Sequence, residues 1–181
     1  MKMRFIHMAD IHLGAVPDRG RPWAQKRSEE IEATFYRLLG EAGKQGVDLI
    51  LIAGDIFHRP PLKRELKELN YRLACAAPAQ VVMMAGNHDF IGEGSNYRGF
   101  TWAENVHFLT SASMTSVYLE DINTEVHGLS YHRHGSTGSA MNTGKSKRRS
   151  MTGSPRWISR DIIFCWPMAA MKSMCRCRKN S

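Results

Sequence analysis

Three runs of strand-forming apolar residues in the first half of this chain each end in a short polar turn. Short apolar runs bounded by turn residues predict buried strands. Because ligands bind beyond the carboxyl ends of parallel strands, the polar side chains are expected to converge at one edge of a sheet. The runs are residues 3–9 (MRFIHMA), 47–53 (VDLILIA) and 80–85 (QVVMMA), and the turns are residues 10–12 (DIH), 54–55 (GD) and 86–89 (GNHD).

Two amphipathic segments between these runs predict an α/β fold with helices connecting the strands. Both have an apolar stripe at helical spacing, formed by Ile31, Phe35, Leu38, Leu39 and Ala42 in residues 26–45, and by Leu62, Leu66, Leu69 and Leu73 in residues 62–76. The first segment predicts a right-handed βαβ crossover. Farther along, residues 106–109, 116–119 and 125–130 alternate as antiparallel or edge strands do.

The basic charge of the chain is confined to its last quarter. The formal net charge is +8, which would ordinarily favour an anionic partner such as nucleic acid. Residues 1–133, however, contain 15 Lys and Arg against 16 Asp and Glu, whereas residues 134–181 contain 10 against 1. The cysteine pattern indicates no disulfide framework, and no signal peptide or membrane-spanning run is found. We therefore expect a cytoplasmic protein without a membrane partner.

The residue types in the three turns are those of a two-metal site. Asp10 and His12 lie two apart, so on an extended segment they point the same way and can hold one ion. Asp55 has a carboxylate free to bridge two ions, Asn87 offers an amide oxygen to the second, and His88 can face a substrate. Mixed oxygen and nitrogen ligands suit Mn²⁺, Fe²⁺ or Zn²⁺. Such a pair of ions clamps a phosphate and generates a hydroxide for in-line attack.

Each motif also has a simpler explanation. A lone Asp-x-His is common, and Gly-Asp after a strand is often only a turn or a helix cap. The combination of three such turns, in order and each at a strand end, favours the metal site. Among other candidates, His7 is expected to be packed or supporting, His58 to support the site, and His107 and His127 to be structural. Residues 131–134 (YHRH) either touch phosphate or form a solvated loop, and Cys175 and Cys177 make a poor metal site.

Residues 5–14 (FIHMADIHLG), 51–57 (LIAGDIF) and 84–89 (MAGNHD) resemble the calcineurin-like metallophosphoesterases. Within that superfamily the chain is most similar to the SbcD-type DNA repair exonucleases over residues 1–134. The resemblance implies a two-layered mixed β-sheet sandwich flanked by helices, truncated here in its second half. Serine/threonine phosphatases of the superfamily place an arginine before the Gly-Asn-His turn, where this chain has Ala85. The nuclease branch is therefore favoured.

The resemblance also implies a role for each residue of the turns. Asp10 and His12 would bind the first metal, Asp55 would bridge both, and Asn87 would bind the second. His88 would protonate or stabilise the leaving oxygen, oriented by Asp89. Similar proteins use Mn²⁺, cleave phosphodiester bonds in DNA and work with an SbcC-like ATPase, and a homodimer is a further expectation.

The segment 135–181 departs from the family and predicts an out-of-frame, unstructured tail. It has no sustained amphipathic period, and no histidine follows His134, so the later histidine ligands of the family are missing. The codons of residues 164–172 (FCWPMAAMK) can be read in a shifted frame, in which each new codon takes the last base of one codon and the first two bases of the next. This frame encodes Leu, Leu, Ala, one of His, Asn, Asp or Tyr, and then Gly. Leu-Leu-Ala-His-Gly would supply the missing strand and ligand turn, which indicates a frameshift between about residues 134 and 162.

Several alternatives remain open from the sequence. The tail can instead be a true basic segment that binds DNA. For the body, the alternatives are a phosphatase or cyclic-nucleotide phosphodiesterase of the same superfamily, and a non-catalytic, metal-free fragment. Since four metal ligands are retained of about seven in the family, activity is expected to be impaired.

Overall fold

The first sheet is entirely parallel and contains the three runs that end in polar turns. The computed structural model describes residues 3–133 and the backbone of residues 161–164. The strand order is β1 (Phe5–Met8), β2 (Leu49–Ala53), β3 (Gln80–Met84) and β4 (Val106–Leu109). Every residue of β2 is buried, as expected for a parallel strand covered on both faces. The three predicted strands are confirmed, and β4 is an edge strand paired parallel with β3.

Two helices connect the strands of this sheet. Helix α1 (Ala24–Lys44) lies between β1 and β2, and α2 (Lys63–Ala74) lies between β2 and β3. Most buried side chains of both helices belong to the predicted stripes, whereas Ile31 and Leu38 of α1 are only partly buried. Leu62 is 44% exposed because α2 begins one residue later, and Leu62 instead donates its backbone N–H to Glu65 Oε2 at 2.7 Å. In the described part of the chain, neither helix is long and apolar enough to cross a membrane.

A second, smaller sheet has mixed strand directions. Strand β5 (Thr115–Leu119) pairs antiparallel with β6 (Thr124–Gly128), and β6 pairs parallel with β7 (Asp161–Phe164). The predicted two-layered mixed sandwich is thus confirmed. β7 falls in the segment that we expected to be unstructured, and its backbone is in register with β6. The rest of that segment lies outside the described residues, and the division at residue 134 stays a prediction.

Alternate residues of the first sheet build two separate cores. Ile50 and Ile52 of β2 pack toward the helices, whereas Leu49 and Leu51 face the second sheet, where Val126 of β6 is fully buried. This is the alternation expected of a strand covered on both faces. The strands of the first sheet are thereby fixed in register, so the turns at their carboxyl ends are held at one edge.

Strand β1 forms the outer edge of the first sheet in the described chain, and its side chains are less covered. Phe5 is 53% exposed, and His7 is exposed as well. The expectation that His7 is packed or supporting is therefore wrong. The reason is its position on an edge strand, which the alternation pattern alone does not reveal.

Candidate metal centre

The loops that follow β1 and β2 run side by side. The backbone N–H of Asp10 donates to the Gly54 carbonyl at 3.2 Å, and that of His12 donates to the Asp55 carbonyl at 2.9 Å. These bonds continue the parallel pairing of the two strands beyond their ends. The side chains of Asp10, His12 and Asp55 are consequently brought together at the edge of the sheet, as the sequence predicts.

The backbone of these loops is strained at the three residues that carry the site. Asp10, His12 and Asp55 have φ values of 55°, 54° and 50°, in the left-handed region. Only a few per cent of non-glycine residues adopt such angles, and each costs on the order of 1–3 kcal/mol. Residues held in this way cluster at functional sites, where the surrounding structure fixes them. The strain is an independent indication that this edge is a site.

Two glycines allow the second and third turns to approach each other. A Cβ on Gly54 would lie 2.9 Å from the Cα of Gly86, and a Cβ on Gly86 would lie 2.2 Å from Asp55 Oδ1. No side chain fits at either position without moving the opposite loop. The close approach lets the backbone N–H of His88 donate to Asp55 Oδ1 at 2.8 Å. This bond holds the Asp55 carboxylate in place while the rest of the carboxylate stays available.

Asp10, His12 and Asp55 together fit a divalent cation. Each offers one ligand atom, and these atoms all lie within 4.8 Å of one another. Asp10 Oδ1 lies 3.9 Å from His12 Nε2. The other ring nitrogen, His12 Nδ1, is buried and has no hydrogen-bond partner among the described residues. An unpartnered buried polar atom is costly, and oxygen and nitrogen donors suit Mn²⁺, Fe²⁺ or Zn²⁺, so the residues present fit a metal ion.

A second group consists of three histidines from three different loops. The rings of His12, His58 and His88 have centroids 4.7–5.4 Å apart, and one nitrogen of each lies within 4.8 Å of the others. The pKa of His58 is lowered, first by partial desolvation and then by the neighbouring His88 and His12. The lowered pKa favours the neutral form of the ring, which has a lone pair available.

His58 is the residue whose place in the site was underestimated from the sequence. We expected it to support the site, but its ring stacks on His88 at 5.1 Å between centroids. The signal was present: His58 follows Asp55 by three residues. Its backbone N–H donates to the Leu13 carbonyl at 3.0 Å, so the paired loops extend as far as His58.

The ring of His88 is oriented by a backbone carbonyl. His88 Nδ1 lies 3.3 Å from the His58 carbonyl oxygen, which can only accept, so this nitrogen carries the proton. The other nitrogen, Nε2, is left for a substrate. Asn87, next to it in the same turn, is exposed.

Asp89 does not have the contact that the sequence analysis expected. Its carboxylate is fully buried and accepts from the backbone N–H groups of Gly86 (2.7 Å), Ile56 (3.0 Å) and Phe57 (3.3 Å). A fourth hydrogen bond comes from the Tyr97 hydroxyl at 2.8 Å. Asp89 therefore ties the second and third turns together, and the His58 carbonyl, rather than Asp89, contacts the His88 ring.

The hydrogen bonds to Asp89 offset part of the cost of burying a carboxylate. Burial raises the pKa of Asp89, and the hydrogen bonds from Gly86, Tyr97 and Phe57 act in the opposite direction. The pKa of Tyr97 is raised well above its usual value by burial and by the nearby Asp89. Sequence analysis missed Tyr97, because nothing in its spacing indicates a contact eight residues back along the chain.

The remaining candidates lie away from this edge or are engaged in structural contacts. His107 is half-buried and hydrogen-bonds Gln80 at 2.9 Å, and the ring of His132 hydrogen-bonds the Thr110 carbonyl at 2.8 Å. His127 lies 3.9 Å from Glu125 in β6. His134, Cys175 and Cys177 lie outside the described residues.

Comparison with known families agrees with the geometry. The sequence pattern of calcineurin-like phosphoesterases matches residues 3–169. The chain belongs to the calcineurin-like phosphoesterase family. The match extends beyond the residues 1–134 over which the resemblance was expected, and it includes β7.

Several characterised and uncharacterised proteins are similar to this calcineurin-like phosphoesterase. It is 36% identical over 90 residues to the DNA double-strand break repair protein Mre11 of Archaeoglobus fulgidus, covering 48% of this chain and 19% of that protein. For Mre11 of Methanopyrus kandleri the identity is 34% over 90 residues, with the same coverage. The uncharacterised metallophosphoesterase YhaO of Bacillus subtilis is 31% identical over 119 residues, covering 61% of this chain and 28% of YhaO. The chain thus spans about a fifth to a quarter of the length of these relatives. These matches agree with the SbcD-type resemblance.

Proposed function

We propose that this phosphoesterase catalyses metal-dependent hydrolysis of phosphodiester bonds in DNA, as a nuclease subunit of a repair complex. The observation that carries the proposal is the grouping of Asp10, His12 and Asp55 beside the rings of His58 and His88 at one sheet edge. Two carboxylates and one histidine can bind a cation, and the two further imidazoles can take part in proton transfer. The Mre11 relatives, named for DNA break repair, support DNA as the substrate.

The proposed metal ligands are those expected from the sequence. Asp10 and His12 would hold the first ion, Asp55 would bridge, and Asn87 would hold the second, with Mn²⁺ as the expected metal and Fe²⁺ or Zn²⁺ as alternatives. When bound, such ions neutralise phosphate charge and lower the pKa of bound water. The chain's own residues position these ligands through the paired loops and the left-handed backbone at Asp10, His12 and Asp55.

We assign proton transfer to the leaving oxygen to His88, whose Nε2 would first have to take up a proton, because the proton on Nδ1 is donated to the His58 carbonyl. Since its Nδ1 donates to the His58 carbonyl, Nε2 is the nitrogen that would face a substrate. The ring of His58 is stacked on that of His88 and would contact the same phosphate. Asp89 contributes by holding the turn from which His88 projects.

One contact favours a nuclease over a phosphatase of the same superfamily. Ala85 is fully buried; its N–H donates to Ser130 Oγ at 2.9 Å, and its carbonyl accepts from the Tyr131 N–H at 3.0 Å. This buried position lacks the arginine that the phosphatases of the superfamily have before the Gly-Asn-His turn. A cyclic-nucleotide phosphodiesterase and a metal-free scaffold remain alternatives, and metal binding in the experiment below separates the scaffold from the two enzymes.

We further propose that residues 135–181 are encoded out of frame and that activity is impaired in this chain. The change in charge and the Leu-Leu-Ala-His-Gly sequence in the shifted frame support this proposal. For the intact protein we propose an SbcC-like ATPase as partner, a homodimeric state and a cytoplasmic location.

The test compares Mn²⁺-dependent cleavage of linear duplex DNA with hydrolysis of p-nitrophenyl phosphate esters, in this chain and in a frame-restored protein. Asp55→Asn should abolish cleavage and metal binding, whereas His88→Ala should retain the metal and lower the chemical step by ~10²–10⁴-fold. Asp18→Asn is the matched control, because Asp18 is exposed and has a similar left-handed φ of 53°.

Four results would contradict the proposal in different ways. Full activity in Asp55→Asn would show that the proposed metal centre is not needed for the reaction. Hydrolysis of monoesters without DNA cleavage would favour the phosphatase. Equal metal loss in Asp55→Asn and His88→Ala would show that His88 is a ligand. Absence of metal binding in the frame-restored protein would leave the scaffold alternative.

A further inference from the structure

A second cavity lies beside the metal centre, at the carboxyl end of β4. Its volume is about 410 Å³, within the usual range for small-molecule sites. The residues on which the argument rests are Tyr97, Arg98, Phe100, Trp102, Phe108 and His132. Of these residues, only His132 was a candidate in the sequence analysis, as part of residues 131–134.

Four aromatic rings form one wall of this cavity. Phe108 of β4 stacks on Tyr97 at 4.5 Å between centroids, and Phe100 contacts Trp102 at 4.6 Å. Trp102 in turn lies 5.6 Å from Phe108. Phe100, Trp102 and Phe108 are only partly buried, so their faces are not fully covered by the described chain. Partly exposed aromatic faces of this kind accept flat, aromatic ligands by stacking.

The polar groups at the rim of the cavity indicate the chemical class of the ligand. Arg98 is exposed, and only its Nε is engaged, donating to the Gly92 carbonyl at 3.0 Å. The terminal guanidinium nitrogens have no described hydrogen bond. The His132 ring is fixed by its bond to the Thr110 carbonyl at the same rim. A cation beside aromatic faces suits a heteroaromatic ring carrying acceptor atoms, attached to a phosphate chain.

The cavity and the metal centre share a wall. The Tyr97 ring lines the cavity, while its hydroxyl donates to Asp89, which holds the turn carrying Asn87 and His88. Ile91, another lining residue, follows that turn directly, and its N–H donates to the Tyr131 carbonyl at 2.9 Å. The cavity is therefore linked through Tyr97 and Ile91 to the turn that carries Asn87 and His88.

We propose that this aromatic cavity binds an unpaired nucleobase of the DNA strand whose phosphate lies at the metal centre. The identification of the ligand as part of a DNA strand rests on the proposed function. The stacking of a base on the aromatic rings does not depend on it. It makes a strand end or an unpaired segment the preferred substrate, because a base within a duplex is not available to enter the cavity.

Binding is tested first without metal, on the full chain in EDTA. Saturation-transfer NMR measures contact between the protein and deoxyadenosine, with deoxyribose as the probe lacking a base. We expect transfer to the base protons and none to deoxyribose. Trp102→Leu and Phe100→Leu should each weaken deoxyadenosine binding by about 5- to 150-fold, the range for loss of one stacking contact. Tyr71→Leu is the control, because Tyr71 is 64% exposed on α2, outside both sites.

Two results would overturn the inference. One is the absence of transfer to the base protons; the other is unchanged affinity in both Trp102→Leu and Phe100→Leu, with circular dichroism confirming that the variants are folded. Phe100→Leu keeps the experiment decisive if Trp102→Leu does not fold.

Hydrolysis in the frame-restored protein separates this inference from the proposed function. An oligonucleotide with abasic positions next to the scissile phosphate tests the metal centre alone. Trp102→Leu should raise KM for the normal oligonucleotide and leave the abasic one unchanged. Failure of the proposed function would remove hydrolysis of both substrates, whereas equal KM values in parent and variant would overturn the nucleobase site alone.

Discussion

Removing the Tyr97 hydroxyl tests whether the buried Asp89 carboxylate holds the site together. Tyr97 is 2% exposed and Asp89 is fully buried, so water does not replace the lost 2.8 Å hydrogen bond. A hydrogen bond to a charged group contributes about 1.5–3 kcal/mol. Asp89 keeps its donors from Gly86, Ile56 and Phe57, which places Tyr97→Phe in the lower half of that range. We expect a loss of about 1.5–2 kcal/mol in the free energy of unfolding.

The assay is urea unfolding followed by circular dichroism, with the slope m compared between parent and variant. Tyr118→Phe is the matched control: its hydroxyl donates to Asn123 Oδ1 at 2.7 Å, but the residue is 39% exposed and the acceptor is neutral. It should cost less than about 1 kcal/mol. If both variants lose the same free energy at unchanged m, burial and charge at Asp89 do not strengthen the bond, and the reasoning is refuted.

Three further predictions concern the close turns, the metal and the tail. Gly86→Ala should abolish metal binding while the protein stays folded, since its Cβ would lie 2.2 Å from Asp55 Oδ1; a calorimetric Mn²⁺ titration equal to that of the parent would contradict this. In the unaltered 181-residue chain, the same titration should give weak binding of fewer than two equivalents, and two tight sites would show that later histidines are not needed. Limited proteolysis should cut within residues 135–160 first and leave the circular dichroism of the body unchanged. A protease-resistant tail would instead favour a true basic segment, as would a stable, active enzyme from the unshifted gene.

Much of the fold follows from the pattern of apolar residues. The strands β2 and β3 are buried parallel strands, so their sequences are nearly continuous apolar runs that stand out locally. The helices are amphipathic because one face of each packs on the sheet. The exposure of residues at the ends and edges of these elements was less predictable. Leu62 fits the helical pattern but precedes the first residue of α2, and His7 fits the strand pattern but lies on an edge strand.

The sequence by itself determined which loops form the site, because polar turns directly after buried strands have to meet at the carboxyl edge of the sheet. It placed Asp10, His12 and Asp55 there correctly. Only the tertiary structure decided the contacts between loops. The stacking of His58 on His88, and the four hydrogen bonds that engage Asp89, depend on how closely Gly54 and Gly86 approach. That distance is set by packing between segments about thirty residues apart in the sequence. The local pattern of apolar residues does not predict such packing.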